Sequence, residues 1–143
     1  MGIDYGSKRI GLAVSDETGS LAFPAGALAR TNRRKDLEAL AEFVKDRDVE
    51  QIAIGLPLHM SGEMGPEAKA VLAFADELRD LTGLPVDSVD ERWTTREAER
   101  VRGPERGKKR RRVKSGELDA AAATLILRTW LERKTASGPS ELQ

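Results

Sequence analysis

Between two stretches of helical periodicity, Gln51 to Leu56 carries a short apolar run that is closed by Gly55 and Pro57. A run without polar alternation is the pattern of a strand buried on both faces. Before it, Leu37, Leu40, Ala41 and Val44 fall on one face of a helix expected from about Arg34 to Asp46. After it, Ala70, Phe74, Ala75 and Leu78 mark a second helix from Pro66 to Leu81, stopped by Gly83 and Pro85. A doubly buried strand between amphipathic helices requires a layered α/β structure with parallel crossovers.

The flanks add the remaining elements. Ile3 to Tyr5 reads as a short strand and Gly6-Ser7-Lys8 as a tight turn. Ile10, Leu12 and Val14 alternate with small residues as a second strand, which gives a hairpin. A third strand is expected over Leu21 to Leu28, disturbed near Pro24 and Gly26, and a last one over Val86 to Asp90. Thr94-Thr95-Arg96-Glu97 matches a capping box that opens a helix, and Leu118 to Arg133 reads as a final helix. The expectation is a mixed five-stranded sheet flanked by helices. It forms one domain over residues 1–134, followed by a flexible polar tail over 135–143. At 143 residues such a domain can bury roughly 70% of its unfolded surface.

Charge is segregated. Residues 100–114 hold nine Lys or Arg and one acid, Glu105, which leaves 15 basic and 23 acidic residues elsewhere, although the total is neutral. A basic segment set in an acidic body points to a polyanionic partner, with a solvated loop as the plainer reading. The absence of Cys excludes thiol nucleophiles, disulfides and thiolate zinc sites. No apolar run approaches the roughly 20 residues of a membrane span, and no basic-then-apolar leader opens the chain. The expected setting is therefore the cytoplasm, with no membrane partner.

Three acids stand out. Asp4 lies in the opening strand with Gly2 and Gly6 on its face, so open space is expected beside its carboxylate; a strand-end acid facing water is the plain alternative. Glu91 closes the last strand beside Asp90, and ligands bind at strand C-termini in open α/β sheets. Asp90 and Glu91 point to opposite faces, so only one serves a given cleft. Asp119 sits in the first turn of the final helix, where the dipole alone would favour it. It also begins a stripe continued by Ala123, Ile126 and Trp130, so it should have a partner there. Three carboxylates from distant segments suit a hard cation, Mg²⁺ or Mn²⁺, rather than zinc. Paired ions could activate water against a phosphodiester. With the basic segment to bind phosphates, the combination points to a nuclease. His59, the single His, could contact nucleic acid or be incidental. Gly103 to Lys108 is one residue short of a P-loop and follows no strand.

Four motifs in order resemble the bacterial YqgF family, of RuvX type. They are Asp4-Tyr5-Gly6-Ser7-Lys8-Arg9-Ile10-Gly11 running to Asp16; Ile54-Gly55-Leu56-Pro57 with Gly62; Asp90-Glu91-Arg92 with Thr94, Thr95 and Ala98; and Lys114 with Leu118-Asp119-Ala120-Ala121-Ala122. The family is described both as Holliday junction resolvases and as nucleases that mature precursor 16S ribosomal RNA. The resemblance runs from residue 2 to about residue 133. It implies a ribonuclease H-like fold and two-metal hydrolysis with Asp4, Glu91 and Asp119 as catalytic and metal-holding acids, Glu91 being preferred to Asp90. Arg9 and Arg92 become supporting phosphate or carboxylate contacts. With Lys108, Lys109, Arg110, Arg111, Arg112 and Lys114 they form the expected nucleic-acid-binding set. The implied partners are structured RNA or branched DNA, and ribosome precursors; resolvase action on a junction would need a homodimer. Only three residues precede Asp4, fewer than the family usually has, so a start further upstream is expected. His59 stands where Asn is common.

Two other classes compete. Actin-like and sugar-kinase-like ATPases open with a similar Asp-x-Gly hairpin, but they need two such domains. A non-catalytic nucleic-acid-binding or ribosome-binding protein would use the basic segment 100–114 alone.

Overall fold

A computed structural model describes residues 1–92 and 115–141. The elements in chain order are β1 (Gly2–Tyr5), β2 (Arg9–Ser15), β3 (Ala22–Ala29), α1 (Arg33–Asp46), β4 (Ile52–Leu56), α2 (Pro66–Thr82), β5 (Val86–Asp90) and α3 (Ser115–Glu141). The sheet runs β3-β2-β1-β4-β5. β1 pairs antiparallel with β2 and parallel with β4, so it is the central strand where the two modes meet. β3 is antiparallel to β2, and β5 is parallel to β4. The mixed five-stranded sheet expected from the sequence is therefore present.

Its two faces are built from different residue sizes. Ile3, Ile10, Leu12, Ile52 and Ile54 project to one side and pack with Leu37, Leu40 and Val44 of α1 and Val71, Phe74 and Leu78 of α2. On the other side Ala13 and Ala53 meet Ala123, Ile126 and Leu127 of α3. The alternation of large and small residues along the strands thus separates two buried faces rather than a buried face from a wet one. Small residues let α3 lie close against the strands. A Cβ at Gly2 would fall 2.6 Å from the Ala123 carbonyl oxygen.

Local chemistry sets the boundaries. Asn32 caps α1 by accepting from the Lys35 amide at 2.9 Å, which starts the helix at Arg33. Gly83 ends α2 with φ of 73°, its amide bonded back to Arg79 O. The expected disturbance in β3 is real: the register shifts between Gly11 and Ala13, and Gly26 has φ of 89°. Pro24 is tolerated because β3 is an edge strand. The β1–β2 turn is pinned by Arg30, which donates to Gly6 O at 2.9 Å and to the Tyr5 hydroxyl at 2.8 Å. Tyr5 in turn stacks on Phe74 with ring centroids 4.1 Å apart.

One boundary moves further. The final helix does not end at Arg133 but runs to Glu141. No breaker follows Arg133 at once. The Thr135 hydroxyl donates to Leu131 O at 3.0 Å, while Lys134 lies over the Trp130 ring and donates to Gln51 Oε1. The capping-box helix expected at Thr94 lies outside the described residues. Among the described residues no helix is long and apolar enough to cross a membrane.

Candidate active site

The parallel strands β1, β4 and β5 and the start of α3 bring Asp4 and Glu91 into contact, with Asp119 near enough for its charge to act on Asp4. Asp4 lies on the α3 face of the central strand, directly paired with Gly11 of β2. The first turns of α3 pass over that glycine so closely that a Cβ there would overlap the Asp119 carbonyl oxygen. Asp119 is thereby carried across from Asp4. Glu91 follows β5 and lies over β4: a Cβ at Gly55 would meet Glu91 Oε1 at 2.5 Å and Ile126 Cδ1 at 2.5 Å. The open space expected beside Asp4 is not there: α3 fills it at Gly2 and the Arg9 backbone carbonyl at Gly6. Gly55 likewise makes room for Glu91 and Ile126, not for an incoming substrate backbone.

Asp4 and Glu91 are hydrogen-bonded side chain to side chain. Burial raises the pKa of Asp4; the bond from Glu91 opposes that rise, and the charge of Asp119 adds to it. Burial also pushes Glu91 up, to about 8, reinforced by the Asp4 charge, by the hydrogen bond it donates and by Asp90. Two carboxyls in one desolvated place cannot both ionise cheaply, so at neutral pH they share a proton held on Glu91.

Asp90 belongs to a different contact. The Arg92 guanidinium donates Nη2 to Asp90 Oδ2 at 2.6 Å and Nε to both oxygens, and the Arg92 amide donates to Oδ1. Those bonds hold Asp90 below the usual carboxylate range. Arg92 also donates Nη1 to Met60 O at 3.0 Å, tying the loop after β4 to the end of β5. The geometry therefore joins Glu91, and not Asp90, to Asp4. This latch between Arg92 and the Met60 backbone left no mark in the sequence, because a backbone acceptor has no residue signature. His59 packs over Gly65, whose Cβ would lie 2.5 Å from His59 Nε2, away from the three acids' own contacts.

Asp119 has a cationic partner, Arg9, whose Nε lies 2.6 Å from Oδ2. Of the two contacts expected of Arg9, the structure contains the carboxylate one. Lys108 to Arg112 and Lys114 lie outside the described residues.

The donor set is hard oxygen from three chain segments, and its buried pair holds a proton chiefly because burial disfavours two charged carboxylates, with the neighbouring acids adding to the effect. That is the chemistry a divalent cation relieves. As arranged, no group of three or more His, Cys, Asp or Glu among the described residues is gathered closely enough to hold an ion. The chemistry of the three acids suits a divalent cation, while the Asp119 carboxylate is engaged by Arg9.

Comparison with known proteins identifies the family and the fold. The sequence pattern of the RuvX family, described as Holliday junction resolvase, matches residues 1–133. A Desulforudis audaxviator protein is 42% identical over 135 residues, covering 94% of each chain, and carries the provisional name pre-16S rRNA nuclease. A Moorella thermoacetica protein of the same provisional name is 44% identical over 138 residues, covering 96% of this chain and 97% of its own. In structure, the chain resembles Thermus thermophilus RuvC solved in complex with a Holliday junction substrate. The TM-score is 0.62 at 18% identity, with 95% of this chain and 94% of that chain covered. A second T. thermophilus RuvC structure gives a TM-score of 0.55 at 14% identity. These likenesses establish the ribonuclease H-like fold.

Proposed function

The chain belongs to the RuvX family, and from that premise we propose that it is a nuclease whose metal-dependent hydrolysis of phosphodiesters centres on Asp4, Glu91 and Asp119. The observation that carries the reading is the proton-sharing contact of Asp4 and Glu91, with Asp119 adjacent across Gly11. Buried acids raised in pKa by desolvation and by each other cluster at catalytic and ion-binding sites, which is what supports the reading.

Asp4, Glu91 and Asp119 would hold Mg²⁺ or Mn²⁺, and a pair of such ions supplies water activation and charge neutralisation at the leaving oxygen. Each residue then has a definable task. Asp4, fixed on the central strand, is the anchor of the set. Glu91 must lose its proton to become a ligand, so cation binding is linked to proton release. Asp119 enters from the second turn of α3, because the helix begins at Ser115 and not at Leu118 as expected, and completes the set from the opposite side. Arg92 positions the loop at Met60 beside these acids. The basic residues Lys108 to Arg112 and Lys114 would bind phosphates along the strand.

The substrate class is structured nucleic acid. The relatives' names favour precursor 16S ribosomal RNA and hence ribosome precursors; the family description favours a four-way DNA junction. Symmetric junction cleavage requires two such sites, so that activity would come with a homodimer, whereas RNA trimming works as a monomer. Cleavage of a matched panel with Mn²⁺ or Mg²⁺ separates these: a four-way junction, its linear duplex, a single-stranded RNA and a precursor ribosomal RNA fragment. An identically purified Asp119→Asn protein controls for contaminants. Cation-dependent cutting absent from the variant is the expected result. Binding without cutting of every substrate would replace the nuclease with a nucleic-acid-binding or ribosome-binding protein that uses residues 100–114.

A further inference from the structure

We infer that Arg9 competes with the cation for Asp119, so that it is a positioning residue that couples cation binding to substrate binding. The inference rests on the reading of Asp4, Glu91 and Asp119 as cation ligands.

Arg9 and Gly11 are two apart on β2 and share the face over which α3 begins. Asp119 sits above Gly11, with Asp4 across the strand pair on one side and Arg9 along β2 on the other. Its carboxylate is turned to Arg9, at 2.6 Å. Among the described residues the three acids do not form a ready ligand group, and a carboxylate held by Arg9 is withheld from one. Guanidinium is always charged and cannot be switched off by deprotonation, so it is a persistent rival to any ion at Asp119. Its backbone is fixed by pairing with Ala29, so only the side chain can exchange partners.

The pair is also exchangeable. The Arg9 and Asp119 side chains are 37% and 24% exposed, so breaking their contact buries no charge. When Asp119 turns to the cation, Arg9 is left beside the acids with its charge unmatched. A phosphate oxygen is the anion a guanidinium then takes. The reverse also holds: a phosphate that captures Arg9 frees Asp119 for the ion. Cation and phosphate therefore strengthen each other's binding by the same factor. The effect limits the site's hold on metal until substrate is present.

The test is titration calorimetry of Mn²⁺ alone into wild-type protein, Arg9→Gln and Arg9→Lys, at one alkaline pH, with melting curves to show folding. Glutamine can accept the local geometry but carries no charge. Arg9→Gln should bind Mn²⁺ about tenfold more tightly than wild type, the loss of one charge-assisted competitor. Its cleavage at saturating Mn²⁺ should nonetheless fall by about tenfold or more. A structural role would lower both together. Arg9→Lys should lie between in affinity, and it serves alone if the glutamine variant does not fold. Unchanged or weaker Mn²⁺ binding by a folded variant overturns the role of Arg9 while leaving the acids' role intact. Absence of Mn²⁺ binding from all three proteins overturns both.

Discussion

Glu91 donates a hydrogen bond to Asp4 across the end of the parallel strands, and the two carboxyls hold one proton at neutral pH. This contact is costly without a cation, and the cost is visible in pH. The Glu91 pKa is about 8 in the folded protein against 4.5 in the free side chain. Between those values the folded state binds a proton that the unfolded chain has released. Stability from this group is complete below about pH 4.5 and is lost as pH rises through about 8. The cation-free protein should therefore melt at progressively lower temperature as the pH is raised from about 5 to about 9. Glu91→Gln should remove most of that slope and melt higher than wild type at the alkaline end. A slope that survives in Glu91→Gln would show that the proton resides elsewhere.

The same proton predicts how the ion binds. Because Glu91 must be ionised to become a ligand, Mn²⁺ uptake should release a proton below about pH 8. Affinity should climb about tenfold per pH unit over that range and then level off. Calorimetry in buffers of different ionisation heat reads the proton count directly. Binding with no proton exchange would place the ion away from Glu91.

Asp90 and Glu91 adjoin in sequence but differ in task, and substitution should separate them. Glu91→Gln should abolish cleavage while leaving nucleic-acid binding within about threefold. Asp90→Asn takes a charge from the contact that orients Arg92 and, through Arg92, the Met60 backbone. It should retain the Mn²⁺ affinity of wild type, lose about 1–3 kcal/mol of stability and weaken substrate binding more than turnover. Loss of Mn²⁺ affinity in Asp90→Asn would reverse the assignment.

Two glycines give a paired test of the helix approach. Gly11→Ala places a methyl on the Asp119 backbone, which cannot yield as a side-chain tip can. It should destabilise by about 2 kcal/mol or more and remove cleavage, because Asp119 moves with the helix. Gly116→Ala, also at the start of α3, meets only the Ala27 Cβ at 3.8 Å. Chemical denaturation should find it neutral or stabilised by about 0.5–1 kcal/mol. Equal effects at both positions would mean that α3 does not lie against β2 as described.

The sequence carried the sheet well because its signals are local. The apolar run at β4 and the spacing of Leu37, Leu40 and Val44 follow from burial periodicity, and the helix stop at Gly83 from backbone freedom. The three acids were legible as anomalies: each is a charge placed where its neighbours are buried or small. Their pairing was not. Whether Asp90 or Glu91 faces Asp4 depends on how the chain leaves β5, and Arg92 sets that through contacts with both Asp90 and Met60. The glycines misled for a related reason. Gly2 and Gly6 read as open space beside Asp4, but Gly6 is met by the Arg9 backbone and what faces Gly2 arrives from more than a hundred residues later in the chain. The helix past Arg133 was missed because polar residues at its end resemble a tail, although Thr135 and Lys134 bind back to α3 and to Gln51.

The most direct test is single-turnover cleavage of the best substrate from the panel by wild type, Asp4→Asn, Glu91→Gln and Asp119→Asn. Binding is measured on the same preparations. The account predicts that each isosteric change lowers the cleavage rate by about a hundredfold or more while substrate affinity stays within about threefold. Cleavage at the wild-type rate by any of the three would contradict it and remove that acid from the catalytic set.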